Sequence, residues 1–258
     1  TICEGSPFNL TVDFTGTGPY TFTYAINGVS QSPAITTSDD PYLLSISQAG
    51  TYTIVNVTDA TNCTNSGYGS AFVTFYPRPT GTLSGGDELC QGESTTLTMI
   101  FSGTPPYTFT YTDGTTSFTV PNYPNSLYTV SVTPSATATY SLTALTDGNG
   151  CGGTLSGSAA VTVNIPPVLT FNATNLTCYG NNMGAIDLSV TGNGPFGFSW
   201  SGPNGFVSFS EDISGLAAGT YNVTVTDTKG CTSTGSVIIT EPEPMNAHLE
   251  STNIFCYG

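Results

Sequence analysis

Residues 219–231 read Gly219-Thr220-Tyr221-Asn222-Val223-Thr224-Val225-Thr226-Asp227-Thr228-Lys229-Gly230-Cys231. Tyr221, Val223 and Val225 alternate with polar residues, the period of a half-buried strand, and the run ends in an Asp-Thr-Lys-Gly turn before a cysteine. The same order occurs twice more. Thr-Tyr opens an alternating run at Thr51-Tyr52 and Thr139-Tyr140, and Asp-x-x-x-Cys closes it at Asp59 to Cys63 and Asp147 to Cys151. Upstream, Gly-x-x-Pro-aromatic-x-Phe-x-aromatic recurs from Gly16 to Tyr24, Gly103 to Tyr111 and Gly192 to Trp200. Further upstream lies Cys-x-Gly at Cys3, Cys90 and Cys178, and again at Cys256; the steps are 90 − 3 = 87, 178 − 90 = 88 and 256 − 178 = 78 residues. Four landmarks in a fixed order make the chain an internal repeat.

Each copy reads as short alternating strands between Gly, Pro, Asn and Asp clusters. In the third copy Ile186, Leu188 and Val190 form one strand face, Phe196, Phe198 and Trp200 a second, and Val237 and Ile239 a last one. About seven such strands in roughly 80 to 90 residues match an immunoglobulin-like β-sandwich. The expected fold is all-β, with tandem Ig-like (PKD-like) sandwiches arranged as an elongated array. Pro-containing joints at Tyr76-Pro77-Arg78-Pro79, Ile165-Pro166-Pro167 and Glu241-Pro242-Glu243-Pro244 fall at one point of each period and read as short, stiff hinges. They place the copies at 1–78, 79–166 and 167–244, with 245–258 as the first strand of a fourth.

Composition removes several functions. The 258 residues carry 17 acidic and 2 basic side chains, a formal charge of −15, with one histidine. Arg78 and Lys229 are too few to displace counterions from nucleic acid or to hold an anionic membrane. No run of about 20 apolar residues is present to cross a bilayer, so no membrane insertion is expected. The chain starts without Met or a charged-then-apolar leader and reads as a mature or excised segment.

The third copy, through Cys178-Tyr179-Gly180, Gly194-Pro195-Phe196, Trp200-Ser201, Ala218-Gly219-Thr220-Tyr221, Val223 to Asp227, Gly230-Cys231-Thr232 and Ile239-Thr240-Glu241-Pro242, resembles an SprB repeat. Such repeats occur in large surface adhesins of gliding Bacteroidetes. The first two copies are similar to the related Ig-like or PKD-like repeats; the first lacks Gly before Cys63, and the second has Ala138 where Gly precedes Thr-Tyr. The resemblance implies an extracellular, cell-surface location, type IX secretion and transport along the cell. It does not fix a ligand.

All seven cysteines fall at the two cysteine landmarks, which points to an oxidising compartment. The simplest pairing is within copies, Cys3 with Cys63, Cys90 with Cys151 and Cys178 with Cys231, leaving Cys256. Against it stands the geometry of an ordinary sandwich, whose second strand begins and sixth strand ends at opposite ends. The alternative pairs adjacent copies, Cys63 with Cys90, Cys151 with Cys178 and Cys231 with Cys256. Zinc is disfavoured by the absence of Cys-x-x-Cys spacing.

No catalytic residues are expected: His248 lies beyond the last hinge, Lys229 sits in a tight turn, and adjacent carboxylates in loops read as solubilising. Asp59, Asp147 and Asp227 are the positions for Ca²⁺ if any is bound, but Asx-turn capping accounts for them better, so no cofactor is expected. The recurring aromatics read as core. Those that do not recur, Tyr42, Tyr68, Phe118, Tyr123, Phe206 and Phe209, are the candidates for surface contact. The function expected is a non-enzymatic adhesin or stalk acting by multivalent attachment or filament formation. The alternative is a carbohydrate-binding segment accessory to a surface enzyme. The expected partners are neighbouring repeats of the same protein, identical chains head to tail, or extracellular polysaccharide. Met245 to Phe255 reads as a first strand without a body, able to fill the edge of a first copy that has none.

Overall fold

A computed structural model describes residues 2–250. Among them there is no α-helix; one 3₁₀ turn, Pro203–Gly205, interrupts an otherwise all-β chain. The first copy contains β1 (Phe8–Val12), β2 (Tyr20–Ile26), β3 (Val29–Ser30), β4 (Ile35–Thr37), β5 (Tyr42–Ile46), β6 (Gly50–Thr58), β7 (Thr64–Asn65) and β8 (Ser70–Val73). The second contains β9 (Thr80–Ser84), β10 (Glu88–Cys90), β11 (Thr95–Ser102), β12 (Tyr107–Thr112), β13 (Ser117–Tyr123), β14 (Leu127–Val132), β15 (Ala138–Thr146), β16 (Thr154–Ser156) and β17 (Ser158–Asn164). The third contains β18 (Val168–Thr174), β19 (Gly184–Thr191), β20 (Gly197–Ser201), β21 (Val207–Ser208), β22 (Ile213–Leu216), β23 (Gly219–Thr226) and β24 (Thr232–Ile239).

Packing groups these strands into two compact units. Of the described residues, the first comprises 2–85 with Thr96–Ser131 and Thr139–Ala160; the second comprises Gly86–Thr95, Val132–Ala138 and 161–250. In the first unit β1 pairs antiparallel with β5, facing a sheet in which β2 and β6 are central. Phe22, Leu44, Ile46, Tyr52 and Val73 fill the space between. The same unit holds the order β14-β11-β9-β16 and the pairing of β12 with β13 and β15. Here β9 is gripped on both edges, antiparallel by β11 and parallel by β16. In the second unit, β18-β19-β22 faces β21-β20-β23-β24 across a core of Ile186, Leu188, Trp200, Tyr221, Val223, Val225 and Ile239.

The landmarks have local causes. The Tyr52 hydroxyl donates to the Gln48 carbonyl at 2.6 Å and that of Tyr221 to Ala217 at 3.1 Å. This is the tyrosine corner of Ig-like sandwiches: a large buried ring whose one polar atom is satisfied by the chain four residues back. Tyr20 and Tyr107 bond in the same way to Gly16 and Gly103. Those two glycines have φ of +117° and +111°, a region in which a Cβ is strained. The recurring aromatics point inward as expected: Phe22 and Phe109 are fully buried, and Trp200 is 1% exposed.

Candidate functional site

The chemistry of the chain collects where one copy meets the next. The structure pairs Cys3 with Cys151 and Cys90 with Cys231, each with Cα atoms 5.5 Å apart. Neither pairing considered from the sequence survives: Cys63 and Cys178, which both schemes placed in disulfides, are free and exposed. The reason is the position of the landmarks on the sandwich. Cys3 bridges Tyr76, beyond the Gly50 end of β6, whereas Cys63 follows the Thr58 end. A nine-residue strand spans about 30 Å, far outside the reach of a disulfide. The Cys-x-Gly of one copy therefore lies against the hinge, where the Asp-x-x-x-Cys turn of the following copy arrives. Cys256 lies outside the described residues.

Both halves of the junction are rigid turns. On one side Gly5, Gly92 and Gly180 adopt φ of +73°, +93° and +73°, and the residue after each donates back to the Cys carbonyl, Ser6 to Cys3 and Glu93 to Cys90 at 3.0 Å, Asn181 to Cys178 at 3.4 Å. That is a turn whose third position requires a left-handed backbone, hence Cys-x-Gly. On the other side, Asp Oδ1 accepts the Cys N–H four residues on: Asp59 from Cys63 at 3.0 Å, Asp147 from Cys151 at 3.0 Å and Asp227 from Cys231 at 2.9 Å. The same oxygens also accept from Thr61, Asn149 and Lys229. The Thr61 hydroxyl and the Cys63 amide hold the Asp59 carboxyl below the usual aspartate range. These carboxylates cap turns, the Asx role weighed against Ca²⁺, and among the described residues no three His, Cys, Asp or Glu side chains are grouped to hold a metal.

The only two basic side chains of the chain, Arg78 and Lys229, both clasp junctions. Arg78 donates through Nε to the Glu4 carbonyl at 2.7 Å and through Nη1 to the Gly152 carbonyl at 3.2 Å, joining the Cys3 turn to the Cys151 turn. Lys229 Nζ lies 2.7 Å from Glu88 Oε1 beside the Cys90–Cys231 bond. The contact lowers the Glu88 pKa and raises that of Lys229. β10 runs parallel to the end of β17, Cys90 opposite Asn164, and Asn164 donates to Glu88 at 3.1 Å. Net charge counts the two cations as a deficit; their scarcity, with both near cysteine landmarks, is the signal for this role in the sequence.

The non-recurring aromatics fall into two groups. Tyr42 packs on Phe22 at 5.5 Å, Phe118 stacks on Tyr111 at 5.0 Å, Tyr123 meets Tyr128 at 5.1 Å and Phe206 meets Tyr221 at 5.2 Å. Tyr42, Tyr123 and Phe206 extend their local cores, because a strand edge with no covering neighbour uses a ring to shield it. Tyr68 and Phe209 are open, at 96% and 74% exposure, and Phe118 keeps one edge exposed at 39%.

Sandwich topology and tyrosine corners define a chain of tandem Ig-like folds. The profile of the Ig-like domain of nucleoporin POM152 matches residues 1–66. The I-band fragment I67–I69 of titin superposes with a TM-score of 0.57 at 18% identity, covering 94% of this chain and 95% of that one. An E-to-A variant of the same three titin domains gives 0.56 over the same shares and at the same identity. A segment of a 1.5-MDa bacterial ice-binding adhesin covers 92% and 91% at 15% identity, with a TM-score of 0.38, below the level of a shared overall fold. No curated protein matches the chain in sequence. Among the described residues no helix is long and apolar enough to cross a membrane.

Proposed function

We propose that the chain is a non-enzymatic segment of an extracellular, SprB-type bacterial surface protein, in which Ig-like repeats serve as a covalently braced stalk for multivalent attachment. The observation that carries this reading is the pair of disulfides joining the Cys-x-Gly of one copy to the Asp-x-x-x-Cys turn of the next. Such bonds persist in oxidising compartments, and they limit how far two neighbouring sandwiches can part without adding anything to a ligand pocket. The third copy's resemblance to SprB repeats suggests the adhesin and gliding part of the reading. A spacer contributes by position, so affinity arises from many weak contacts along an array. Two assays test the proposal. Antibody against the oxidised chain should label intact producing cells, and label should vanish after brief external protease treatment. On a glycan array and a polysaccharide pull-down the three-copy segment should show no tight, saturable binding. Label only after permeabilisation, or saturable capture of one glycan class, would overturn it, the latter in favour of a carbohydrate-binding accessory segment.

A further inference from the structure

The two sulfurs of the Cys90–Cys231 junction differ in access. Cys231 is fully buried, whereas Cys90, the last residue of β10, is half-buried. An incoming thiol therefore attacks the Cys90 sulfur and expels the Cys231 sulfur as leaving group. Both events take place beside carboxylates.

On the side of approach, β10 alternates, so Glu88 and Cys90 share one face while Leu89 turns into the core. Glu93 closes the turn that follows, its Oε2 accepting the Cys90 N–H at 2.8 Å. Asp87, exposed, precedes the strand. On the leaving side stands Asp227, 6% exposed: its Oδ1 accepts the Cys231 N–H at 2.9 Å, and its Oδ2 is buried with no hydrogen-bond partner. An acceptor that neither water nor a donor reaches is poorly screened. The cation of the junction is Lys229, whose Nζ lies 2.7 Å from Glu88 Oε1. That contact and a bond from Asn164 hold Glu88 in its ionised form. β17, which pairs with β10, carries no charged residue. The elements that meet at the bond thus bring Asp87, Glu88, Glu93 and Asp227 against Lys229 alone, a formal charge of 1 − 4 = −3.

We propose that the Cys90–Cys231 brace is a charge-selective redox gate, which excludes anionic thiols of the glutathione class and yields to neutral and cationic ones, with Glu88 and Glu93 as the excluding groups. This rests on, and deepens, the reading of the disulfides as braces between copies. A thiolate approaching Cys90 brings its own negative charge to a negative site. Carboxylates elsewhere on the same thiol raise that cost, and an ammonium lowers it. The thiolate sulfur bonds to Cys90 Sγ as the Cys90–Cys231 bond breaks; the Cys231 thiolate leaves with the bonding pair and takes a proton from water. A second thiolate attacks the small-molecule sulfur of the mixed disulfide and frees Cys90. Two small thiols become one small disulfide, and one protein disulfide becomes two protein thiols. A stalk braced in this way keeps the joint closed against anionic thiols around it while leaving it openable by others.

The test uses the full chain carrying Cys63→Ser, Cys178→Ser and Cys256→Ser, so that no other protein thiol exchanges. Glutathione, 2-mercaptoethanol or cysteamine is added together with bis(2-hydroxyethyl) disulfide, an uncharged reference. Samples are quenched with N-ethylmaleimide, and opening of Cys90–Cys231 is followed by peptide mass spectrometry. Dividing each rate by that of the reference removes differences in thiol pKa and nucleophilicity. At about 0.01 M ionic strength cysteamine should be favoured over glutathione roughly tenfold or more, with 2-mercaptoethanol between them. Glu88→Gln combined with Glu93→Gln, which keeps both hydrogen-bond acceptors, should shrink the preference to about threefold; Lys229→Gln should enlarge it, and about 1 M salt should abolish it. The gate is overturned if the three thiols react at equal normalised rates at low salt, if glutathione is the fastest, or if the double carboxamide variant keeps the full preference. Each of those results leaves the brace in place. Failure to recover Cys90 joined to Cys231 before any thiol is added would instead remove the brace, and with it the reading on which the gate rests.

Discussion

Reduction should change how far the chain can be pulled more than it changes any single copy. With handles fused to both ends, the covalent path from Cys3 to Cys231 in the oxidised chain passes through Cys3–Cys151, back along the 61 residues from Cys151 to Cys90 (151 − 90), and through Cys90–Cys231. The first copy lies wholly inside the loop closed by Cys3–Cys151, so its unfolding releases no length. At about 3.6 Å per extended residue the 61 residues give ~220 Å, against ~820 Å for the 228 residues (231 − 3) of the reduced chain. Optical-trap extension to full unfolding should therefore lengthen by about 600 Å on adding reductant, the flanking residues contributing equally in both states. Cys90→Ser provides an internal ruler: the path becomes the 80 residues from Cys151 to Cys231 (231 − 151), about 290 Å. An oxidised chain that already extends by ~820 Å, or a Cys90→Ser chain that extends no further than the parent, would refute the cross-hinge connectivity.

Other expectations follow from single groups. Asp147, 5% exposed, holds the amides of Asn149, Cys151 and Thr104, so Asp147→Ala strands buried donors and should cost about 2–3 kcal/mol in denaturant unfolding. Tyr221→Phe removes only the corner hydroxyl's bond to Ala217 and should cost about 1 kcal/mol, with the fold unchanged by circular dichroism. Trp200, the single tryptophan, is buried with Nε1 bonded to the Ser210 carbonyl; its emission should be blue-shifted and should report unfolding of the third copy alone. Asp59 and Asp113, held by hydroxyl and backbone N–H groups, and Glu88, held by Lys229, all have pKa values below their unfolded ones. Their stabilisation is complete above the unfolded values near 4 and is lost as pH falls through the folded ones. The melting temperature should drop below about pH 4.5, and Glu88→Gln should shrink that drop.

Much of this architecture was legible from residue order because its causes are local. At Tyr52 and Tyr221, Thr-Tyr marks a corner that the tyrosine closes onto its own chain, and Asp-x-x-x-Cys marks a turn that an aspartate closes onto its own amides. Neither needs knowledge of the rest of the fold. Disulfide pairing was not legible, since landmarks spaced along the chain do not say which end of a sandwich each occupies. Cys3 and Cys63 are close in sequence and separated by the full length of β6. Failure to recur was a poor guide to exposure for Tyr42, Tyr123 and Phe206, because each copy shields its edges with whatever ring its own loops supply. Arg78 and Lys229 were informative for where they stood, which a net charge conceals.

The covalent link between successive copies is tested most directly by peptide mapping of the unreduced protein, digested with pepsin at acid pH so that disulfides do not exchange. The peptide containing Cys3 should be recovered joined to that containing Cys151, and Cys90 joined to Cys231, with Cys63 and Cys178 open to alkylation in the freshly purified monomer. Recovery of Cys3 joined to Cys63, or of Cys63 joined to Cys90 within one chain, would contradict it.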